Sequence, residues 1–221
     1  MKYEILKSKL NFKLGFDRTI FFSDSVFAIA ITLMAMDLKI NGANRGLSNE
    51  ELLQSLSNIS SNILSFLLSF LVIGYYWYIH HKMFRFINQI DVKVILLNFL
   101  LLLMIIIIPF TTSLIGTHPN EISTLIYSVN IFLISILHYL IWIYSIKNKY
   151  FPIYNEDEKI EIENYIKKVS KKSLINSLIL LLISFIIIID FSYLQYLWFF
   201  IIIINWIFDY SYNQKIFLEY K

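Results

Sequence analysis

Long hydrophobic runs without a charge alternate with short polar stretches along this chain. Four of these runs contain no Asp, Glu, Lys or Arg, at residues 94–117, 122–146, 173–189 and 191–208. Each is close to the ~20 residues that a helix needs to cross ~30 Å of hydrocarbon. Four uncharged runs of this length are not expected in a soluble helical bundle, so the pattern predicts an integral membrane protein.

Two further apolar stretches near the N-terminus also contain charged or polar residues. Residues 21–38 carry only Asp24 and Asp37 as charges, and residues 52–80 begin polar and become apolar from Ile63 onward. The chain is therefore predicted to be all-α, a single membrane domain over residues 1–221 that crosses the bilayer six times. The predicted spans are about 18–38, 52–81, 92–116, 120–147, 170–189 and 191–211.

The distribution of Lys and Arg residues predicts the orientation of the chain in the membrane. The chain is 57% hydrophobic and 16% charged, against about 25% charged in a soluble domain. All but two of its 19 Lys and Arg residues fall on one side of the predicted membrane, and Lys39 and Arg45 lie on the other. The positive-inside rule then predicts that both termini are cytoplasmic. The net charge of +3 does not indicate nucleic acid binding, because topology decides where each charge lies.

Charged and polar side chains gather at the cytoplasmic ends of the first two spans. They are Arg18, Ser23, Asp24, Trp77, His80 and His81. The third span begins at Asp91 at the same membrane depth. Charges in a membrane helix are costly and indicate function, so a polar network that joins the first three spans is one interpretation. The other is that Ser23 and Asp24 cap the helix while Arg18 reaches the headgroups. A metal site is not expected, because His80 and His81 point ~100° apart and the chain has no cysteine.

The rest of the first span is patterned at helical spacing. Ser25, Ile29, Thr32, Leu33 and Met36 form one stripe, from which the carboxylate of Asp24 points away toward the bundle. Around a four-fold axis, Ile29, Leu33 and Met36 would form apolar rings of the kind that gate by dewetting. Ordinary packing explains the same stripe equally well.

The uncharged run of each of the third to sixth spans contains a single asparagine. These are Asn98, Asn130, Asn176 and Asn205, and the fourth span also contains His138. A polar side chain in hydrocarbon needs a partner, and hydrogen bonds between helices usually supply it. We interpret these residues as contacts within the bundle and not as ligands.

Several segments together resemble the transmembrane protein 175 family of potassium channels. The segment at 18–24 has the pattern R-x-x-x-F-S-D, and the following residues 26–33 are similar to the prokaryotic branch. Residues 76–84, with Trp77 and His80, continue the similarity, and so do Asp91, Leu97-Asn98 and residues 109–112 in the third span. The resemblance is specific over the first three spans and only compositional beyond Gly116.

The resemblance implies a homotetramer whose four-fold pore is lined by the first helix, in the plasma membrane of a prokaryote. It implies that Ile29 is the narrow gate, that Leu33 and Met36 are further constrictions, and that Thr32 gives the preference for potassium. Arg18, Ser23, Asp24, Trp77 and His80 or His81 would hold the pore helix. The chain departs from the family pattern at Ser25, commonly Gly, and at Met36, commonly Leu.

Two other functions compete with a potassium channel. A proton- or cation-coupled transporter would use Asp24 and His81 as a relay, but paired helix breaks near the midplane are not seen, and Pro109 is the only proline within a span. A non-conducting scaffold would use Ile29 and Thr32 for packing alone. No nucleophile–base pair or cofactor motif is present in the sequence, so neither an enzyme nor a cofactor is expected, and the only ligand would be permeant K⁺.

Overall fold

A computed structural model of the protein describes residues 2–40, 46–150 and 156–190. Within these ranges the chain is helical and forms no strand. The helices are α1 (Lys2–Ala35), α2 (Asn49–Asn58), α3 (Ser60–Phe86), α4 (Val92–Thr117), α5 (Glu121–Lys147) and α6 (Glu156–Asp190). The predicted sixth span, residues 191–211, lies outside the described residues.

Four segments are long and apolar enough to cross a membrane. They are Gly15–Ala35 of α1 and the whole of α3, α4 and α5. α6 continues without a break from Glu156 to Asp190, so the predicted fifth span at residues 170–189 shares one helix with the charged stretch before it. The protein is therefore a multi-pass membrane protein of helical architecture.

The helix ends correct two of the predicted span boundaries. The predicted span at 52–81 is divided at Ile59, because the polar stretch forms the separate helix α2, which buries no residue. Ser48 caps α2 in a reciprocal capping box with Glu51, which fixes where that helix begins. α3 starts only at Ser60 and continues to Phe86. α1 ends at Ala35, before the predicted 38, so Met36 lies in the following turn.

The bundle is built from neighbouring helix pairs. α1 packs on α3 and α4, α4 packs on α5, and α5 packs on α6. In lipid such pairs are held by close packing and polar contacts more than by the hydrophobic effect, and small residues permit close approach. Ser128 of α5 and Ser184 of α6 make hydroxyl contact at one such place. Gly116 of α4 lies directly against Asn62 of α3 at another.

Hydroxyl groups also connect α3 to its neighbours. Thr112 of α4 donates to Ser69 of α3 at 2.7 Å, and Ser69 lies 3.1 Å from the hydroxyl of Tyr127 on α5. Nearer the other end of α3, the Tyr76 hydroxyl is 2.8 Å from Ser135 of α5. α3 is therefore fixed to α4 and α5 by buried polar contacts along its length.

Candidate functional site

One face of α1 is exposed and its opposite face is packed. Ile29, Leu33 and Met36 are 55%, 43% and 65% exposed, although all three are apolar. Phe27 and Met34, on the opposite side of the helix, are buried against the bundle. All five residues of the sequence stripe, Ser25, Ile29, Thr32, Leu33 and Met36, are therefore exposed on one side of α1 in the described structure.

Two hydroxyls interrupt this apolar face. The hydroxyl of Thr32 donates to the carbonyl of Ile29 at 2.9 Å, and that of Ser25 donates to the carbonyl of Phe21 at 2.8 Å. Each hydroxyl has one proton and two acceptor lone pairs. With the proton held by the helix backbone, the oxygen of each side chain remains able to accept from water or to face a cation.

Behind α1 lies a buried polar chain that consists of Ser23, Asn98 and His80. The amide nitrogen of Asn98 donates to Ser23 at 2.9 Å, and its amide oxygen lies 2.9 Å from Nε2 of His80. Ser23 in turn donates to the carbonyl of Thr19 at 2.8 Å. His80 and Ser23 are completely buried, and Asn98 is nearly so. The buried polar chain therefore joins α1, α4 and α3 in the core of the helical bundle.

A second group, the Trp77 cluster, consists of Asp24, Trp77 and His81. The indole nitrogen of Trp77 donates to Asp24 at 3.0 Å, and the Trp77 ring stacks on His81 with centroids 5.5 Å apart. Trp77 and His81 are exposed and Asp24 is partly buried. The two histidines thus belong to different groups, His80 to the core and His81 to the surface.

Arg18 belongs to neither group. Its side chain is exposed, and among the described residues no hydrogen bond or ion pair joins it to Asp24 or to the histidines. The predicted single network is therefore two separate hydrogen-bonded groups without Arg18, and without Asp91, which accepts from Val94 and Tyr144 instead. The searched residues also contain no group of three or more His, Asp and Glu side chains that could hold a metal ion.

Asn98 is the residue that the sequence pattern did not assign to this site. It was interpreted as one of several helix-to-helix contacts, and its two hydrogen bonds do link helices. Asn130 behaves differently, because both polar atoms of its buried amide have no partner in the described structure. His138 bonds to the carbonyl of Ile134 on its own helix at 3.2 Å instead of bridging helices. Only the packing of all the helices distinguishes these residues, and Asn205 lies outside the described part.

A clasp at the end of α5 consists of Asp91, Tyr144 and Tyr150. One oxygen of Asp91 caps α4 at the backbone nitrogen of Val94, 2.9 Å away, and the other accepts from the Tyr144 hydroxyl at 2.6 Å. The backbone nitrogen of Asn88 donates to the carbonyl of Tyr150 at 2.8 Å. The clasp joins the α3–α4 loop to the end of α5.

The first part of the chain is similar to a family of known channels. The family model described as "Endosomal/lysosomal potassium channel TMEM175" matches residues 18–109. A potassium channel of Streptomyces collinus is 34% identical over 100 residues, 45% of this chain and 47% of that protein. A potassium channel of Chamaesiphon minutus is 32% identical over 125 residues, 55% of this chain and 61% of that protein. The chain thus spans less than two thirds of the length of these relatives.

The fold is shared over a greater length than the sequence similarity. The crystal structure of a lysosomal potassium-selective channel TMEM175 homolog from Chamaesiphon minutus superposes with a TM-score of 0.74 at 24% identity. The superposition covers 88% of this chain and 97% of that one. At this level of identity the similarity shows a common fold, and it extends well beyond residue 109.

Proposed function

We propose that this chain, whose residues 18–109 match the TMEM175 family model, is a member of that family and a subunit of a potassium-selective channel in a prokaryotic cell membrane, with its pore lined by α1. The observation that carries this proposal is the uncovered face of α1, where Ile29, Leu33 and Met36 are exposed while the reverse face is packed. An apolar face of this size on a membrane helix needs either lipid or another subunit against it. The hydroxyls of Ser25 and Thr32 on the same face favour a water-filled axis over lipid.

The channel would be a homotetramer, because a single subunit exposes this face and does not enclose a pathway with it. Four copies of α1 around an axis would place Ile29 in an apolar ring, with Leu33 and Met36 in further rings beyond it. A hydrated ion finds no polar partner in an apolar ring, so such a ring closes the pore when it loses water. The other partners are the lipid bilayer and the permeant potassium ions, with no cofactor.

Thr32 is the selectivity residue in this proposal. Its hydroxyl proton is held by the carbonyl of Ile29 at 2.9 Å, so its oxygen would face the axis as an acceptor. Four such oxygens could replace part of the water around a cation. This layer lies within one turn of the Ile29 ring, so gate and selectivity would be adjacent but separate.

The buried polar chain and the Trp77 cluster would hold the pore helix in place. Both contact α1 on the side away from the proposed axis, through Ser23 and through Asp24. An isolated polar residue in lipid is costly, so paired groups at these positions fix the rotation of α1 about its own axis. That rotation decides which residues face the pore. The proposal retains six spans with cytoplasmic termini, from the charge distribution.

The test is potassium flux into liposomes that contain the purified protein, with a potassium gradient and matched protein density. We expect Ile29→Asn to raise the flux, because it removes the apolar barrier. We expect Thr32→Ala to remain conductive but to lose part of its preference for potassium over sodium. The matched control is Leu103→Asn on α4, whose exposed side chain lies outside the α1 face.

The possible outcomes separate the candidate functions. Equal flux in the parent protein and in both α1 variants would show that α1 does not line the pathway. Potassium uptake that requires a proton gradient would indicate a coupled transporter, and no uptake in any variant would indicate a scaffold.

A further inference from the structure

Two buried imidazole rings in the subunit each have one nitrogen without a partner. His80 of α3 and His138 of α5 are 0% and 2% exposed. Nδ1 of His80 and Nε2 of His138 make no hydrogen bond within the described structure. The two ring centroids are 6.2 Å apart and the rings meet edge to face. A polar atom in a membrane protein core that remains unpaired is costly, so this pair requires an explanation.

The hydrogen-bond partners of His80 fix where its proton lies. The carbonyl of Thr19 can only accept, so Ser23 donates to it and must accept from the amide nitrogen of Asn98. The amide oxygen of Asn98 therefore faces Nε2 of His80, at 2.9 Å. An amide oxygen accepts, so Nε2 of His80 carries the proton. In the neutral ring, Nδ1 is then an acceptor with an unused lone pair.

The same reasoning applies to His138. Its Nδ1 lies 3.2 Å from the carbonyl of Ile134, which can only accept, so Nδ1 carries the proton. Nε2 of the neutral His138 ring is then also an acceptor. Its ring is held by stacking on Tyr76, at 5.6 Å between centroids and 14° between planes. Both unpaired nitrogens are acceptors, so they cannot hydrogen-bond to each other.

We propose that one buried water molecule binds between His80 and His138 and donates one hydrogen to each free nitrogen. Water is the smallest molecule with two donors, and buried waters typically make two to four hydrogen bonds with otherwise unpaired groups. The bridge would extend the buried polar chain from α1 through α4 and α3 to α5. It does not depend on the proposed channel function, because it rests only on the partners of the two rings.

The alternative occupant of this site is a proton. A doubly protonated ring could donate directly to the other histidine, without water. No carboxylate bonds to either ring among the described contacts; the nearest partners of His80 are Asn98 and the rings of Phe27 and Phe84, and those of His138 are Ile134 and Tyr76. The carboxylate of Asp24 acts on His80 only through space and makes no hydrogen bond to either ring, so a positive charge buried here would have no directly bonded counter-ion. Neutral rings with water therefore fit the surroundings better.

The test is solid-state NMR of the full protein in lipid bilayers, with ¹⁵N-labelled histidine. The chain has only 4 histidines, so single substitutions assign every signal. We expect neutral rings with the proton on Nε2 of His80 and on Nδ1 of His138, and magnetisation transfer from water to both unprotonated nitrogens. Two protonated nitrogens in either ring, or the absence of transfer from water, would overturn the proposal.

Two variants test whether the water at His80 depends on the acceptor nitrogen of His138. His138→Phe keeps an aromatic ring against Tyr76 but removes the acceptor, so transfer from water to Nδ1 of His80 should be lost. His118→Phe, at an exposed position in the α4–α5 connection, should leave that transfer unchanged. Retained transfer in His138→Phe would show that water reaches His80 without a bridge. If His138→Phe does not fold, the parent spectrum alone still decides.

Discussion

At the scale of single residues, the same residue type takes opposite roles in this core. Asn98 and Asn130 are 2% and 4% exposed, and each is a lone amide in an apolar helix. Asn98 uses its amide nitrogen and oxygen to join Ser23 and His80, whereas neither polar atom of Asn130 has a partner in the described structure. An unpaired buried amide reduces stability, and a paired one contributes to it.

This contrast predicts opposite results for one substitution at two sites. Asn98→Leu leaves the Nε2 donor of His80 and the hydroxyl of Ser23 with fewer partners, so the free energy of unfolding should fall by about 1–3 kcal/mol. Asn130→Leu removes an unpaired amide at similar volume and should be neutral or stabilising. Thermal unfolding in the same detergent measures both, and equal losses at the two sites would contradict the assignment.

The charge state of Asp91 is tied to the packing of the α3–α4 loop against α5. Partial burial by itself would raise the pKa of Asp91, but hydrogen bonds from Tyr144, from the backbone of Val94 and from Tyr150 lower it below its ordinary value of 3.8. A carboxyl group whose pKa is lowered on folding stabilises the protein above the unfolded pKa. That contribution is lost as the pH falls through the folded pKa.

The clasp should therefore loosen in acid. Between about pH 5 and about pH 3 the melting temperature of the parent should fall because Asp91 takes up a proton. Asparagine cannot take up a proton, so the melting temperature of Asp91→Asn should fall less steeply over the same range. Tyr144→Phe removes one donor and should also make the decline shallower. Melting temperatures of the three proteins over this range give the comparison, and parallel curves would show that Asp91 does not titrate with unfolding.

At the scale of helices, α3 and α4 approach closely at a glycine. A methyl group added at Gly116 would lie 3.1 Å from the Cα atom of Asn62, which is backbone and cannot rotate away. At Gly74 in the middle of α3, by contrast, an added methyl group meets no atom within 4 Å. Close packing at small residues is a main source of stability between membrane helices.

The two glycines provide a matched pair of substitutions. Gly116→Ala should destabilise the protein by about 1–3 kcal/mol, because the helices must move apart to admit the methyl group. Gly74→Ala should be neutral or stabilising by up to about 1 kcal/mol, since alanine is the better helix former. Unfolding by heat or denaturant in micelles measures both changes. A stabilising Gly116→Ala would show that the contact with Asn62 is looser than described.

At the scale of the whole molecule, the proposed assembly places the uncovered face of α1 at a shared axis. The chain contains no cysteine, so a single introduced thiol reports contacts between subunits without background. Ile29→Cys should form disulfide-linked dimers on mild oxidation, because neighbouring copies of the ring lie close together. Leu103→Cys, exposed on α4, should remain monomeric on a denaturing gel. Cross-linking of Leu103→Cys alone would place a different helix at the axis.

The amino-acid sequence by itself determined the membrane class, the all-helical architecture and the direction in which each side chain of α1 points. Lipid requires long apolar helices, and a period of 3.6 residues fixes the stripe of Ile29, Thr32 and Leu33 on one face. The local motif also located the polar residues Ser23, Asp24 and His80. The membrane class and the face on which a side chain lies depend only on a single helix and on the lipid around it. A single sequence is therefore enough to predict them.

Only the tertiary structure decided which polar residues meet. Asn98 lies 75 positions from Ser23 and 18 from His80, yet it joins them, while Arg18 remains outside both groups. Periodicity gives the angle of a side chain around its own helix. It does not show which neighbouring helix packs against that side chain, or which residues of the two helices lie at the same level along the bundle. That choice comes from the packing of all the helices together, including α5, whose His138 and Tyr144 the resemblance did not reach.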